Sequence, residues 1–132
     1  MKEIKVTTKT KAQPKDVWGA WRKKHRSEHG KGSFKKGYIG RAQFGSKAAF
    51  FEVFDVEENK SFTILWKAFF VKLFFTHEVD PLKKGSEIVY KAHFKGIFAP
   101  LVRWKVGKRL KPQMEQSITQ FVYALENKLP FK

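Results

Sequence analysis

Apolar residues recur in steps of three and four near the end of the chain, at Met114, Ile118, Phe121, Val122, Leu125 and Leu129. That spacing aligns them on one face of an α-helix. Val102, Val106 and Leu110 continue the stripe upstream. The pattern therefore predicts one long helix over 98–129, bent near Gly107 and Pro112, with two shorter helices as the alternative. Such a helix must lay its stripe on a partner. The only partner the chain offers is its β-rich middle.

Residues 3–11 alternate, with Ile4, Val6, Thr8 and Thr10 on one side and Lys5, Thr7, Lys9 and Lys11 on the other, as in a half-buried strand. A short helix is predicted over 14–24, with Pro14 suited to its first turn, Asp16 near its positive end, and Val17, Trp18 and Trp21 as its apolar patch. Residues 25–36 (HRSEHGKGSFKK) read as a loop or a frayed helical turn. Strands are predicted at 37–45, 48–57, 61–68, 69–80 and 86–95. The connections EENK and PLKKG are short enough for hairpins, so the strands form an antiparallel meander. Two strands are apolar on both sides: Phe51 and Val53 oppose Phe50, Phe54 and Val56, while Phe69, Val71, Leu73 and Phe75 oppose Phe70 and Phe74. In the last strand Ile88, Tyr90, Ala92 and Phe94 oppose Glu87, Lys91, His93 and Lys95. The fold class is α+β.

Composition narrows the function more than the fold. A chain of 132 residues is the size of one domain, 1–132, and 42% hydrophobic residues with 14 Phe argue for a folded core. The absence of Cys excludes disulfides, thiolate metal sites and cysteine nucleophiles. The beginning, MKEIKV, runs directly into a strand, and no apolar run reaches the ~18 residues of a membrane span, so a cytoplasmic protein is expected.

The net charge is +16. It belongs to the two ends: residues 1–45 carry 13 Lys and Arg against 3 acids, residues 46–90 carry 6 against 7, and residues 91–132 carry 9 against 2. Two clusters stand out. Arg22, Lys23, Lys24, Arg26, Lys31, Lys35 and Lys36 face only Glu28, and Arg103, Lys105, Lys108, Arg109 and Lys111 face no acid. They read either as a solvated surface or as an anion-binding rim, and Trp104 and Phe98 beside the second cluster fit an anionic membrane or a nucleic-acid strand.

The order strand, short helices, antiparallel meander and long C-terminal helix resembles the START-like superfamily, also called SRPBCC or helix-grip, and most of all its small polyketide-cyclase-like members. The residues carrying the resemblance are IKVTTKTKAQPKDVWGAW (4–21), the GxxG at Gly37–Gly40, and the amphipathic end at 112–129. The resemblance implies a curved antiparallel sheet wrapped around the long helix, enclosing a cavity for a lipid, polyketide or other hydrophobic molecule.

In that arrangement the lining is expected from Met114, Ile118, Phe121 and Leu125 of the helix and from Phe51, Val53, Leu73, Phe75, Tyr90 and Phe94 of the sheet. Tyr38, Arg41, Glu52 and His77 are the candidate polar groups, and His93 shares a face with Lys91 and Lys95. The expected rim is Lys23, Lys24, Arg26, Lys35, Lys36, Arg103, Lys105, Lys108 and Arg109.

No spacing assembles a Ser-His-Asp site. His25 to His29 matches H-x-x-E-H, but Lys23, Lys24, Arg26 and Lys31 oppose a cation and Gly30 ends any helix, so no metal is assigned. GKGS at 30–33 lacks the spacing of a phosphate-binding loop. No cofactor is expected. Three functions remain: binding of a small hydrophobic or amphipathic ligand, electrostatic binding of nucleic acid or anionic membrane, and a cyclase-type reaction that rests on the resemblance alone. The assembly is a monomer or a homodimer.

Overall fold

Alternation at the start of the chain becomes strand β1 (Ile4–Thr10), with Ile4, Val6 and Thr10 buried and Lys5, Thr7 and Lys9 exposed. The structure, a computed structural model, describes residues 3–44, 47–68, 71–96 and 99–127. Phe69, Phe70, Phe98 and Leu129, which entered the sequence reading, lie outside these, as does the side chain of Val102. After β1 come helix α1 (Pro14–His29), strands β2 (Ile39–Phe44), β3 (Lys47–Glu57), β4 (Ser61–Ala68), β5 (Val71–Pro81) and β6 (Ser86–Lys95), and helix α2 (Ala99–Glu126).

The strands form one antiparallel sheet in the order β1-β6-β5-β4-β3-β2. The meander accounts for every neighbour except the first strand. β1 joins the far edge, pairing Ile4 with Ala92 through Thr10 with Ser86. The β5–β6 hairpin needs Gly85, whose φ of 97° favours glycine and whose added Cβ would collide with the Thr10 carbonyl.

Two sequence expectations are revised. α1 runs to His29 instead of ending at 24, because His25 and His29 extend the stripe of Val17, Trp18 and Trp21 by one turn each. Gly30, at φ 100°, stops it, its N–H donating to the Arg26 carbonyl at 2.8 Å. In β3 a bulge between Val53 and Asp55 shifts the register against β4. Val56 thereby moves to the inner face to pack on the core, so it does not share a face with Phe50 and Phe54, which are 60% and 44% exposed.

Helix α2 is continuous through Gly107 and Pro112. Pro112 is exposed, so water can reach the Lys108 carbonyl that its missing N–H leaves unbonded. Met114, Ile118 and Phe121 are nearly fully buried, while Val106, Leu110, Val122 and Leu125 pack on the core around them. The helix lies over β1, β6 and β5. Its last turn is tied to the end of β1 by Glu126, whose carboxylate accepts from Thr10 Oγ1 (2.9 Å) and the Lys11 N–H (3.1 Å). Those bonds hold the carboxyl below the usual range. Among the described residues no helix is long and apolar enough to cross a membrane.

Candidate functional site

The inner face of the sheet carries large rings: Phe51 from β3, Phe62 and Trp66 from β4, Phe75 and His77 from β5, and Tyr90 from β6. Where α1 and α2 come over this face the side chains do not close the space. They leave a cavity of about 320 Å³. Its apolar wall comes from those rings with Ile64, Leu73, Trp21, Leu110 and Phe121. β2 presents Gly40 behind this wall, where a Cβ would come within 2.6 Å of the Phe51 ring, so the glycine lets the ring lie flat on the strand. Of the polar lining residues, Glu28 from α1 and Ser117 from α2 are exposed and mark an opening between the two helices.

Three of the four histidines meet here. His77 stacks on Phe62 at 4.4 Å between centroids and lies 4.3 Å from the Tyr90 ring. Its Nδ1 is buried without a hydrogen-bond partner. Burial, helped by the charges of Lys24 and His25, lowers its pKa to about 3, so the imidazole is neutral at pH 7. His25 is lowered to about 4, by burial first and by His29 second. Its Nε2 donates to the Ser33 carbonyl at 3.2 Å, and its ring centroid lies 4.7 Å from that of His29. Burial raises the Tyr90 hydroxyl, which accepts from the Trp21 indole N–H at 3.4 Å and stays protonated. Lys24, Glu28 and His29 complete the polar edge, with Glu28 Oε2 3.8 Å from His29 Nε2. Among the described residues no group of three or more His, Cys, Asp or Glu is placed to hold a metal ion.

Of the lining expected from sequence, Phe51, Leu73, Phe75, Tyr90, Phe121 and His77 stand at the cavity wall. Val53, Phe94, Met114 and Ile118 are buried in the core beside it, and Leu125 packs on that core. Tyr38 lies behind the wall, donating to the His29 carbonyl at 3.2 Å and touching Phe51. Arg41 and Glu52 are on the outer face: the Arg41 guanidinium covers Phe50 at 5.3 Å, and Glu52 approaches Lys67 at 3.9 Å. Of the basic rim only Lys24 reaches the cavity. Lys23, Arg26, Lys35 and Lys36 are exposed elsewhere, and Arg103 and Lys108 line a separate surface groove while Lys105 and Arg109 are exposed nearby.

Beside Lys24, which was expected at the rim, His25, Glu28 and His29 on the polar edge and the wall from β4 were not foreseen from the sequence. The signals were present: His25 and His29 fall four and eight residues after Trp21, and Phe62, Ile64 and Trp66 alternate with Ser61, Thr63 and Leu65.

A six-stranded antiparallel sheet gripping a long C-terminal helix, with one helix after the first strand, is a helix-grip fold. Solved structures share it across nearly the whole chain. DynU16, a protein in the dynemicin biosynthetic locus, superposes with a TM-score of 0.74 at 15% identity over 97% of this chain, which spans 48% of DynU16's own length. The Aha1 dimer from Colwellia psychrerythraea matches at 0.69 and 14% identity, covering 96% of this chain and 97% of that one. Ara h 8.0201 matches at 0.64 and 13% identity, covering 96% of each. At such identities the likeness establishes the fold. No protein-family profile and no curated protein matches the sequence.

Proposed function

We propose that residues 1–132 form a single ligand-binding unit, which takes a small apolar or amphipathic molecule into the cavity between sheet and helices. The observation that carries this is the unfilled 320 Å³ itself. Protein interiors pack densely, and voids much larger than a water are few. This space holds on the order of ten water volumes of ~30 Å³ and falls at the small end of the ~300–1,000 Å³ range of small-molecule sites. Its wall is mostly aromatic, and its polar groups collect at one edge and around His77. An apolar body against Phe51, Trp66, Leu73 and Phe75, with its polar end toward Lys24, His25 and His29, satisfies both. That a protein in a biosynthetic locus shares the fold supports a small molecule as the occupant.

The test is organic extraction of freshly purified protein with mass spectrometry, alongside titration with the uncharged fluorophore N-phenyl-1-naphthylamine. Saturable binding unchanged between 50 and 500 mM salt, and weakened at least tenfold by filling the space with Leu73→Trp, is expected. An empty extract, no probe binding and strong 260 nm absorbance would reject the cavity in favour of nucleic acid.

A further inference from the structure

The first half of α2 carries a surface that the cavity does not explain. Leu101 and Trp104 are 59% and 67% exposed, among the most exposed large apolar side chains described. They lie three residues apart, and Lys108 and Lys111 continue their row by steps of four and three, so one strip runs from apolar to cationic along the helix. Lys105 and Arg109 flank it, and Lys5 of β1 and Arg103 line a groove of about 480 Å³ with Trp104, Lys108, Lys111 and Glu3. From Ala99 to Met114 the helix has no acidic residue. Among the described residues none of these six cations has a carboxylate within ion-pair distance. Lys108 instead sits 6.0 Å from the centre of the Trp104 ring, and Arg103 Nε is buried without a partner.

Six cations without an ion pair, against Glu3 alone in the groove, surround one exposed Trp–Leu pair and fit an anionic partner that also accepts apolar groups. We infer that this strip of α2 docks the protein on an anionic phospholipid bilayer. The helix would lie in the plane of the interface, Leu101 and Trp104 entering the headgroup–acyl boundary and the cations meeting lipid phosphates. A nucleic-acid strand accounts less well for the arrangement: stacking platforms present successive rings, whereas here, among the described residues of the strip, one exposed indole is paired with an aliphatic side chain. Leu110, which lines the cavity, follows Trp104 by six residues, about 9 Å along the helix, so docking would hold the cavity close to the lipid. The docking surface stands whether or not the cavity is occupied.

The experiment is flotation with vesicles of pure phosphatidylcholine and of phosphatidylcholine with 30% phosphatidylglycerol, at 50 and 300 mM NaCl. Wild type should partition at least tenfold more onto the anionic vesicles and lose most of that binding at the higher salt. Leu101→Ser/Trp104→Ser leaves the charge unchanged and should lose at least tenfold, as should Lys105→Glu/Lys108→Glu. All four positions are exposed, and unchanged melting temperatures would show that both variants fold. Anionic-vesicle binding indifferent to the Leu101 and Trp104 changes, or equal binding to both vesicle types, would overturn the inference. So would tighter, Trp104-dependent binding to a single-stranded oligonucleotide than to the vesicles.

Discussion

His77 occupies an inner-face position of β5, stacked on Phe62 and beside Tyr90, with Lys24, and His25 once it is protonated, supplying positive charge from α1. Its folded pKa of about 3 and that of His25, about 4, both lie below the ordinary 6.5. Between those values the unfolded chain binds protons that the folded one excludes. Stability contributed by the neutral rings is therefore complete above pH 6.5 and falls as the pH drops, by up to about 1.4 kcal/mol per pH unit for each histidine. Melting curves from pH 7 to 4.5 should show this slope, and His77→Phe, which keeps the stack on Phe62, should flatten it. A variant with the wild-type slope would remove His77 from the account. In the sequence His77 falls at alternate positions with Val71, Leu73 and Phe75, which share an apolar face. Its partners Phe62 and Tyr90 come from two other strands, so their convergence needed the sheet register.

At the scale of elements, α1 and α2 are held mainly by the faces they bury. Ile118→Ala should cost about 2–5 kcal/mol in denaturant unfolding, because a nearly inaccessible side chain leaves a void. Phe121→Asp should cost more, since it buries an unpaired carboxylate. Wild-type melting in that variant would contradict the placement of α2. Gly19 offers the opposite case: it lies within α1 with nothing within 4 Å of an added Cβ. Gly19→Ala should therefore raise stability by about 0.5–1 kcal/mol through helix propensity. The end of α1 shows why boundaries are harder to read than elements. Charge and glycine around His25 to Gly30 look like a loop, and only burial of His25 against Phe34 and Phe51 reveals the extra turn.

For the whole molecule, the sheet has two unequal edges. α2 covers β1, whereas β2 pairs with β3 alone among the described strands. Hydrogen exchange should consequently be fastest among the strands at β2 and slowest in β5 and β6, which have a strand on each side and lie under α2. Equal protection at both edges would show that something else covers β2. The outer face beside that edge bears Ile39, Phe50 and Phe54, exposed, with Phe74 packed edge-on against Phe54 and overlain by Lys95 at 5.2 Å. These rings explain why β3 and β5 read as apolar on both sides.

Periodicity by itself determined the element order, the antiparallel meander and the buried stripe of α2, because each follows from which neighbouring positions must leave water together. Charge along the sequence likewise located the two basic clusters. Only the tertiary structure decided that β1 closes against β6, that a bulge turns Val56 inward, and that Met114 and Ile118 fill the core while Phe121 and Leu73 also line the cavity. A void is a relation between side chains far apart in the chain, set by register and helix placement. For the same reason Lys24, His25 and His29 belong to the cavity edge, while Arg103, Lys105, Lys108 and Arg109, grouped with Lys24 by charge alone, belong to another surface.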